Sequence, residues 1–292
     1  MINVLSLLLI CFLNISLCLD TAVSGEGKAI NFNEPAVKEF TDNIDKIKAN
    51  RLTIKILPVD GEAIYITFPE GGNMLIGSGF PQDSREFIGL LKDEMFREKK
   101  MKKSSVMGLF GWKPRIDLLV LVSTKPEQAG GVEKLLENFN VRKVISNIDL
   151  IKVLNDTRVE PGVRRLAGIL LSTGLDNIKL KDGDTVNPVA SLVNLTAIDT
   201  QDVLSLRLSY LGFSMLILSD GSEAAQARIM KRTGSNIKSK VLLSGEMTKL
   251  KDSFKTKVSP KITRTYKNKV TFVTDGNLIY IPAQSKVKRG VE

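Results

Sequence analysis

Apolar and polar residues alternate over residues 52–57, where Leu52, Ile54 and Ile56 share one side, and this period of two predicts a half-buried strand. Residues 63–68 and 73–76 repeat the alternation on either side of the Gly71-Gly72 turn, so three short strands follow one another as hairpins. A helical period takes over from residue 84 to about 103. Residues 116–122 then form a near-continuous apolar run, the mark of a strand buried on both faces. A loop over 123–131 leads to a helix at 132–139 and a short strand at 143–145. Alternation returns in a hairpin, 204–210 with 213–218, that turns through Leu211-Gly212. A helix at 222–233 and a strand at 241–243 follow, and a last hairpin joins 270–273 to 278–281 through Asp275-Gly276-Asn277. Two β-rich halves, each with helices, predict two sheets packed face to face with helices outside them.

The ends of the chain differ from this pattern. Residues 4–19 are almost wholly apolar and uncharged, yet too short for a membrane span, and they predict a signal peptide or N-terminal anchor over 1–18. Ser16 and Cys18 supply small residues before Leu19; a lipidated Cys18 and an uncleaved anchor are the other readings. Residues 19–50 form a polar leader that ends in a helix, with Val37, Phe40, Ile44 and Ile47 at helical spacing. Residues 283–292 are a basic tail, which leaves 51–282 as the folded domain.

Two absences narrow the chemistry. Both cysteines, Cys11 and Cys18, lie in the N-terminal segment. The mature domain thus has no thiol, which suits an exported, extracytoplasmic or secreted protein and excludes disulfides, thiol catalysis and Cys-ligated metals. The chain has 0 histidines, so the usual acid–base group near neutral pH is missing too.

Charge adds a partner class. The net charge is +10, from 42 basic and 32 acidic side chains, which favours nucleic acid, anionic lipid or another polyanion and equally serves solubility. The basic excess has one local focus. Arg97, Lys99, Lys100, Lys102 and Lys103 precede an apolar stretch that includes Phe110 and Trp112. Basic charge beside aromatics fits a phosphate backbone with base stacking, or a membrane surface. The other reading is a solvated helix end, with Phe110 and Trp112 covering the core.

From about 51 to 281 the residues resemble a known family. Residues 56–63, Ile-Leu-Pro-Val-Asp-Gly-Glu-Ala, stand where that family's opening strand reads Phe-Leu-Asp-Val-Gly-Gln-Gly-Asp-Ala. Residues 75–79, Leu-Ile-Gly-Ser-Gly, stand for its Leu-Ile-Asp-Gly-Gly, and Leu218-Ser219-Asp220 for a hairpin that ends in Thr-Gly-Asp. Residues 258–261, Arg264-Thr265 and Asp275-Gly276 match its closing segment. In this order the segments resemble the metallo-β-lactamase-like domain at the C-terminus of the DNA-uptake channel protein ComEC, in its free-standing secreted form. The resemblance implies a four-layer αββα sandwich of two mixed β-sheets flanked by helices.

The departures bear on function. The family's metal loop reads Leu-Val-Leu-Thr-His-Pro-His-Ala-Asp-His-Ile-Gly-Gly. Here its three histidines stand as Ser123, Lys125 and Gln128, and its aspartate as Glu127. The late Gly-His-His-Gly is Gly245, Glu246, Met247 and Thr248, and Asp220 alone keeps the identity of a ligand. Zinc sites of this kind need neutral imidazoles, and the Lys125 ammonium would repel a cation and could pair with Asp220 or Glu127. The resemblance with these changes implies a pseudoenzyme, a non-catalytic binding or scaffold module without a cofactor and with possible affinity for a polyanion. The alternative is a residual hydrolase or phosphodiesterase whose carboxylates Glu127, Asp220 and Glu246 converge as oxygen ligands for a hard metal. A nucleophile pair of Ser123 and Lys125 is a further option on an extended loop.

Overall fold

The computed structural model describes residues 51–98, 113–188, 192–234, 237–245, 248–267 and 270–282. The N-terminal segment and leader (1–50), the basic tail (283–292), Lys99, Lys100, Lys102, Lys103, Phe110, Trp112 and Glu246 lie outside the described residues.

The three opening strands are present: β1 (Leu52–Ile56), β2 (Ile64–Phe68) and β3 (Gly72–Ile76) pair antiparallel in sequence order. Helix α1 (Ser84–Glu98) follows. The apolar run expected as one strand is two, β4 (Arg115–Ile116) and β5 (Leu118–Leu121). Asp117 makes the break. Its backbone N–H donates to Asn73 Oδ1 at 3.1 Å, its Oδ2 accepts from the Asn73 N–H at 3.1 Å, and its Oδ1 accepts from Arg115 Nε at 2.6 Å. A buried carboxylate needs such partners, and they turn it off the ladder.

Next come α2 (Pro126–Ala129) and α3 (Val132–Asn138), then β6 (Asn140–Val141) and β7 (Lys143–Ser146). Helices α4 (Leu150–Asn155) and α5 (Pro161–Ser172) and strands β8 (Asp176–Lys179), β9 (Thr185–Val186) and β10 (Val193–Asp199) fill a stretch that the hydrophobic pattern leaves unassigned. The expected hairpin is β11 (Ser205–Tyr210) with β12 (Phe213–Leu218). After it come α6 (Glu223–Thr233), β13 (Val241–Ser244), α7 (Asp252–Val258) and β14 (Ile262–Thr265). The closing hairpin is β15 (Thr271–Thr274) with β16 (Ile279–Tyr280).

The strands form two large mixed sheets. One has eight strands in the order β16-β15-β1-β2-β3-β5-β7-β8, and the other six in the order β14-β13-β12-β11-β10-β9. The strand period of two then builds the layers. Ile64 and Ile66 of β2, Met74 and Ile76 of β3, Met215 and Ile217 of β12 and Leu243 of β13 fill the core between the sheets. Tyr65, Leu75 and Leu119 point the other way, onto Phe87 and Leu91 of α1, Leu135 of α3 and Leu170 of α5. On the far side, Leu216 and Leu242 meet Ile229 of α6 and Phe254 of α7. Helix, sheet, sheet and helix make four layers, the αββα sandwich that the resemblance implies.

Candidate functional site

Within the larger sheet, β1, β3 and β5 run in one direction, and β12, β13 and β14 run parallel in the other sheet. The segments that leave their C-terminal ends surround a cleft of about 750 Å³, a position that open α/β sheets favour for ligands. Three of these segments are stitched together by backbone hydrogen bonds. Glu62 N donates to Glu127 O at 2.9 Å, Ser78 N to Gln128 O at 2.8 Å, and Gly79 N to Glu62 O at 3.1 Å. Such close approach needs glycine: at Gly61 (φ +83) and Gly77 (φ +70) a Cβ would collide with the carbonyl oxygens of Glu127 and Glu62.

Helix α2 begins with Pro126, whose fixed φ suits a first helical position, and its single turn directs Gln128 inward. A chain of side chains follows. The Lys125 N–H donates to Ser123 Oγ at 3.0 Å, and the Ser123 hydroxyl donates to Gln128 Oε1. Gln128 Nε2 donates to Glu62 Oε2 at 2.9 Å, and the Ser219 hydroxyl donates to Glu62 Oε1 at 3.0 Å. Each oxygen of the Glu62 carboxyl therefore has a donor.

Glu62 is 2% exposed, and burial pushes its carboxyl from 4.5 up to about 7. The Ser219, Gln128 and Tyr266 side chains oppose that shift, and the Glu127 charge adds to it. Tyr266, just after β14, is 8% exposed and turned toward the same carboxyl, and burial followed by the Glu62 charge raises its phenol well above the ordinary value. Its hydroxyl nevertheless completes no hydrogen bond.

The structure brings Ser123 and Gln128 together as hydrogen-bond partners and sets Glu127 in the cleft wall. Lys125 is exposed and pairs with neither Asp220 nor Glu127, contrary to the pairing considered from its charge. It meets Ser123 through its backbone only, so the two do not form a nucleophile pair. Asp220 turns to its own loop. It accepts from the Ser222 N–H at 2.8 Å and the Ser222 hydroxyl at 3.0 Å, and Arg228 lies 3.8 Å away. The Ser222 hydroxyl also accepts from the Ala225 N–H at 3.2 Å, as the cap of α6. Among the described residues, no three Asp, Glu, His or Cys side chains stand close enough to hold a metal ion. Arg97, at the end of α1, is largely exposed and pairs with Glu94 at 3.0 Å.

A zinc centre does not fit these residues. Ser123 and Gln128, at two of the histidine positions of the resemblance, use their polar atoms on each other and on Glu62. The third position carries an exposed ammonium, and zinc requires imidazole, thiolate or carboxylate donors.

Sequence reasoning passed over Glu62 and Tyr266. Glu62 carried a weak signal, as a charged residue directly before the buried run 63–66 that opens β2. Tyr266 carried none, because it follows a polar, half-exposed strand.

No family model and no curated protein matches this chain. Solved structures do. A metallo-β-lactamase of Cronobacter sakazakii (Enterobacter sakazakii) with a HARLDQ motif is 13% identical over 65% of this chain and 70% of its own, with a TM-score of 0.43. MEM-A1, a subclass B3 metallo-β-lactamase from a soil metagenome library, is 17% identical over 66% and 75%, with a TM-score of 0.42. A diphosphatase of the PhnP family is 10% identical over 74% and 86%, with a TM-score of 0.41. The structural neighbours of this chain include metallo-β-lactamases.

Proposed function

We propose that this chain is a non-catalytic binding protein on a metallo-β-lactamase-like frame, a pseudoenzyme whose cleft remains as a ligand pocket. One observation carries the reading: the side chains at the floor of the cleft, Ser123, Gln128, Glu62 and Ser219, satisfy one another. A hydrogen-bonded group of this kind rigidifies a site and leaves no open coordination position. Export through residues 1–18, ancestry shared with the ComEC domain, and contact with a polyanion through the 97–103 segment belong to the same proposal and rest on the sequence alone.

A second reading has one observation in its favour. The Ser219 hydroxyl donates to a carboxyl that titrates near 7, which is the arrangement of a nucleophile with its base. A residual phosphodiesterase would use that pair.

Hydrolysis of bis(p-nitrophenyl) phosphate, measured with and without added zinc, manganese or magnesium, separates the two. The binding reading predicts no turnover above buffer in any condition. Turnover that disappears in Glu62→Gln or Ser219→Ala overturns it in favour of the second reading.

A further inference from the structure

The chain is basic overall, but the cleft is not. Asp60, Glu62, Glu127 and Glu223 line it against two lysines, Lys249 and Lys267, both exposed. Lys251, outside the lining, pairs with Glu223 at 2.8 Å. Glu62, at the floor, is faced by the neutral donors Gln128 and Ser219, by the Tyr266 phenol and by the like charge of Glu127. An acidic wall alone would be ordinary solvated surface. What marks a site is Tyr266, which lines the same cleft with a buried hydroxyl that no protein atom satisfies. Unsatisfied polar atoms at the wall of a roomy cavity are where a ligand atom sits.

The lining decides the ligand's charge. An anion would meet the acidic side chains of Asp60, Glu62 and Glu127 in the lining, while the two lysines that line it, Lys249 and Lys267, are exposed. An ammonium group carries three donors and no acceptor, so it complements carboxylate and phenol oxygens that can accept. Val59 and Phe80 give the same cleft an apolar side, and the Phe80 and Tyr266 rings suit a cation as well as a hydrocarbon body. We infer that this cleft binds an organic primary amine, its ammonium on the Glu62 carboxyl and the Tyr266 hydroxyl and its apolar body against Val59 and Phe80. The inference rests on the binding reading above and names the class of ligand for that site.

Three probes of one size test it by calorimetry on the full chain: 2-phenylethylamine, the neutral 2-phenylethanol and the anionic 3-phenylpropionate. The amine is expected to bind at submillimolar concentration, at least tenfold more tightly than the alcohol or the acid. Glu62→Gln is expected to weaken the amine at least tenfold, and Tyr266→Phe by several-fold. The wild-type ranking needs no variant, so a variant that fails to fold does not decide the outcome. Equal or tighter binding of the alcohol or the acid, or no amine binding at millimolar concentration, overturns the inference. Turnover of the phosphodiester would overturn the binding reading instead, and that assay is independent of the amine ranking.

Discussion

Gln128 donates its side-chain amide to Glu62 across 2.9 Å, from a loop 66 residues further along the chain. This bond joins the segment after β1 to the turn of α2 and holds the Glu62 carboxyl in a nearly dry site. It explains how an acidic group is tolerated at 2% exposure without a cation beside it: two donors and a retained proton replace the counter-ion.

The retained proton gives the first prediction. The folded-state value of Glu62 is about 7 against the ordinary 4.5. A carboxyl raised in this way contributes stability that is fully present below 4.5 and is lost as pH rises through 7. The titratable groups that face it are Glu127, whose charge pushes the same way, and Tyr266, which stays protonated across that window. The loss amounts to about 3 kcal/mol for a shift of this size. Glu62→Gln has no proton to lose, so its stability relative to the wild type should improve from pH 5 to about pH 7 and level off by pH 8. Thermal melts of both proteins across that range check it, and a constant difference would show that Glu62 titrates as it does in the unfolded chain.

The glycines that let the loops meet give a matched pair of variants. Gly77→Ala combines a φ of +70 with a collision on the Glu62 carbonyl oxygen, and should cost on the order of 3 kcal/mol. Gly71→Ala has a similar φ of +92 but open space around it, so backbone strain alone should cost about 1 kcal/mol. Urea denaturation of the two variants measures the difference. Equal losses would mean that the close approach of the loops contributes nothing to stability.

Away from the cleft, Asp199 is wholly buried and accepts from Arg228 Nη2 at 2.9 Å and from Arg232 Nη1 at 3.0 Å. Arg228→Ala would leave this buried carboxylate with Arg232 as its remaining arginine, at an expected cost of about 2–3 kcal/mol. The same arginine stands near Asp220, so the entry to α6 should loosen as well. Chemical denaturation gives the energy, and hydrogen exchange at Ala225 and Gln226 gives the local effect. A cost below about 1 kcal/mol would mean that the pair is solvated and weak.

Much of the fold was legible in the sequence because a strand between two layers shows a period of two. The alternation at 52–57 and 73–76 and the apolar run ahead of residue 122 returned as β1, β3 and β5. The stretch between β7 and β11 was not legible. β8 is a polar, mostly exposed sheet edge, and α4 buries only Leu150. β10 was the exception, since Val193, Leu195 and Ala197 alternate into the core and could have been found. The site divides in the same way. Ser123 and Gln128 were visible through their places in one loop. Their union with Glu62 and Ser219 is a tertiary fact that joins residues up to 157 positions apart, with no local pattern to announce it. The break at Asp117 was hidden because its partner Asn73 lies on another strand.

The central claim is that a hydrogen-bonded group of protein side chains, with no metal among them, organises the floor of the cleft. Its most direct test is the metal content of the purified full chain by mass spectrometry, after incubation with zinc, manganese and magnesium in turn and then desalting. The account predicts far less than one ion per chain in every case, with a thermal transition unchanged by a chelator. One or more ions per chain, and a transition that falls when they are stripped, would contradict it.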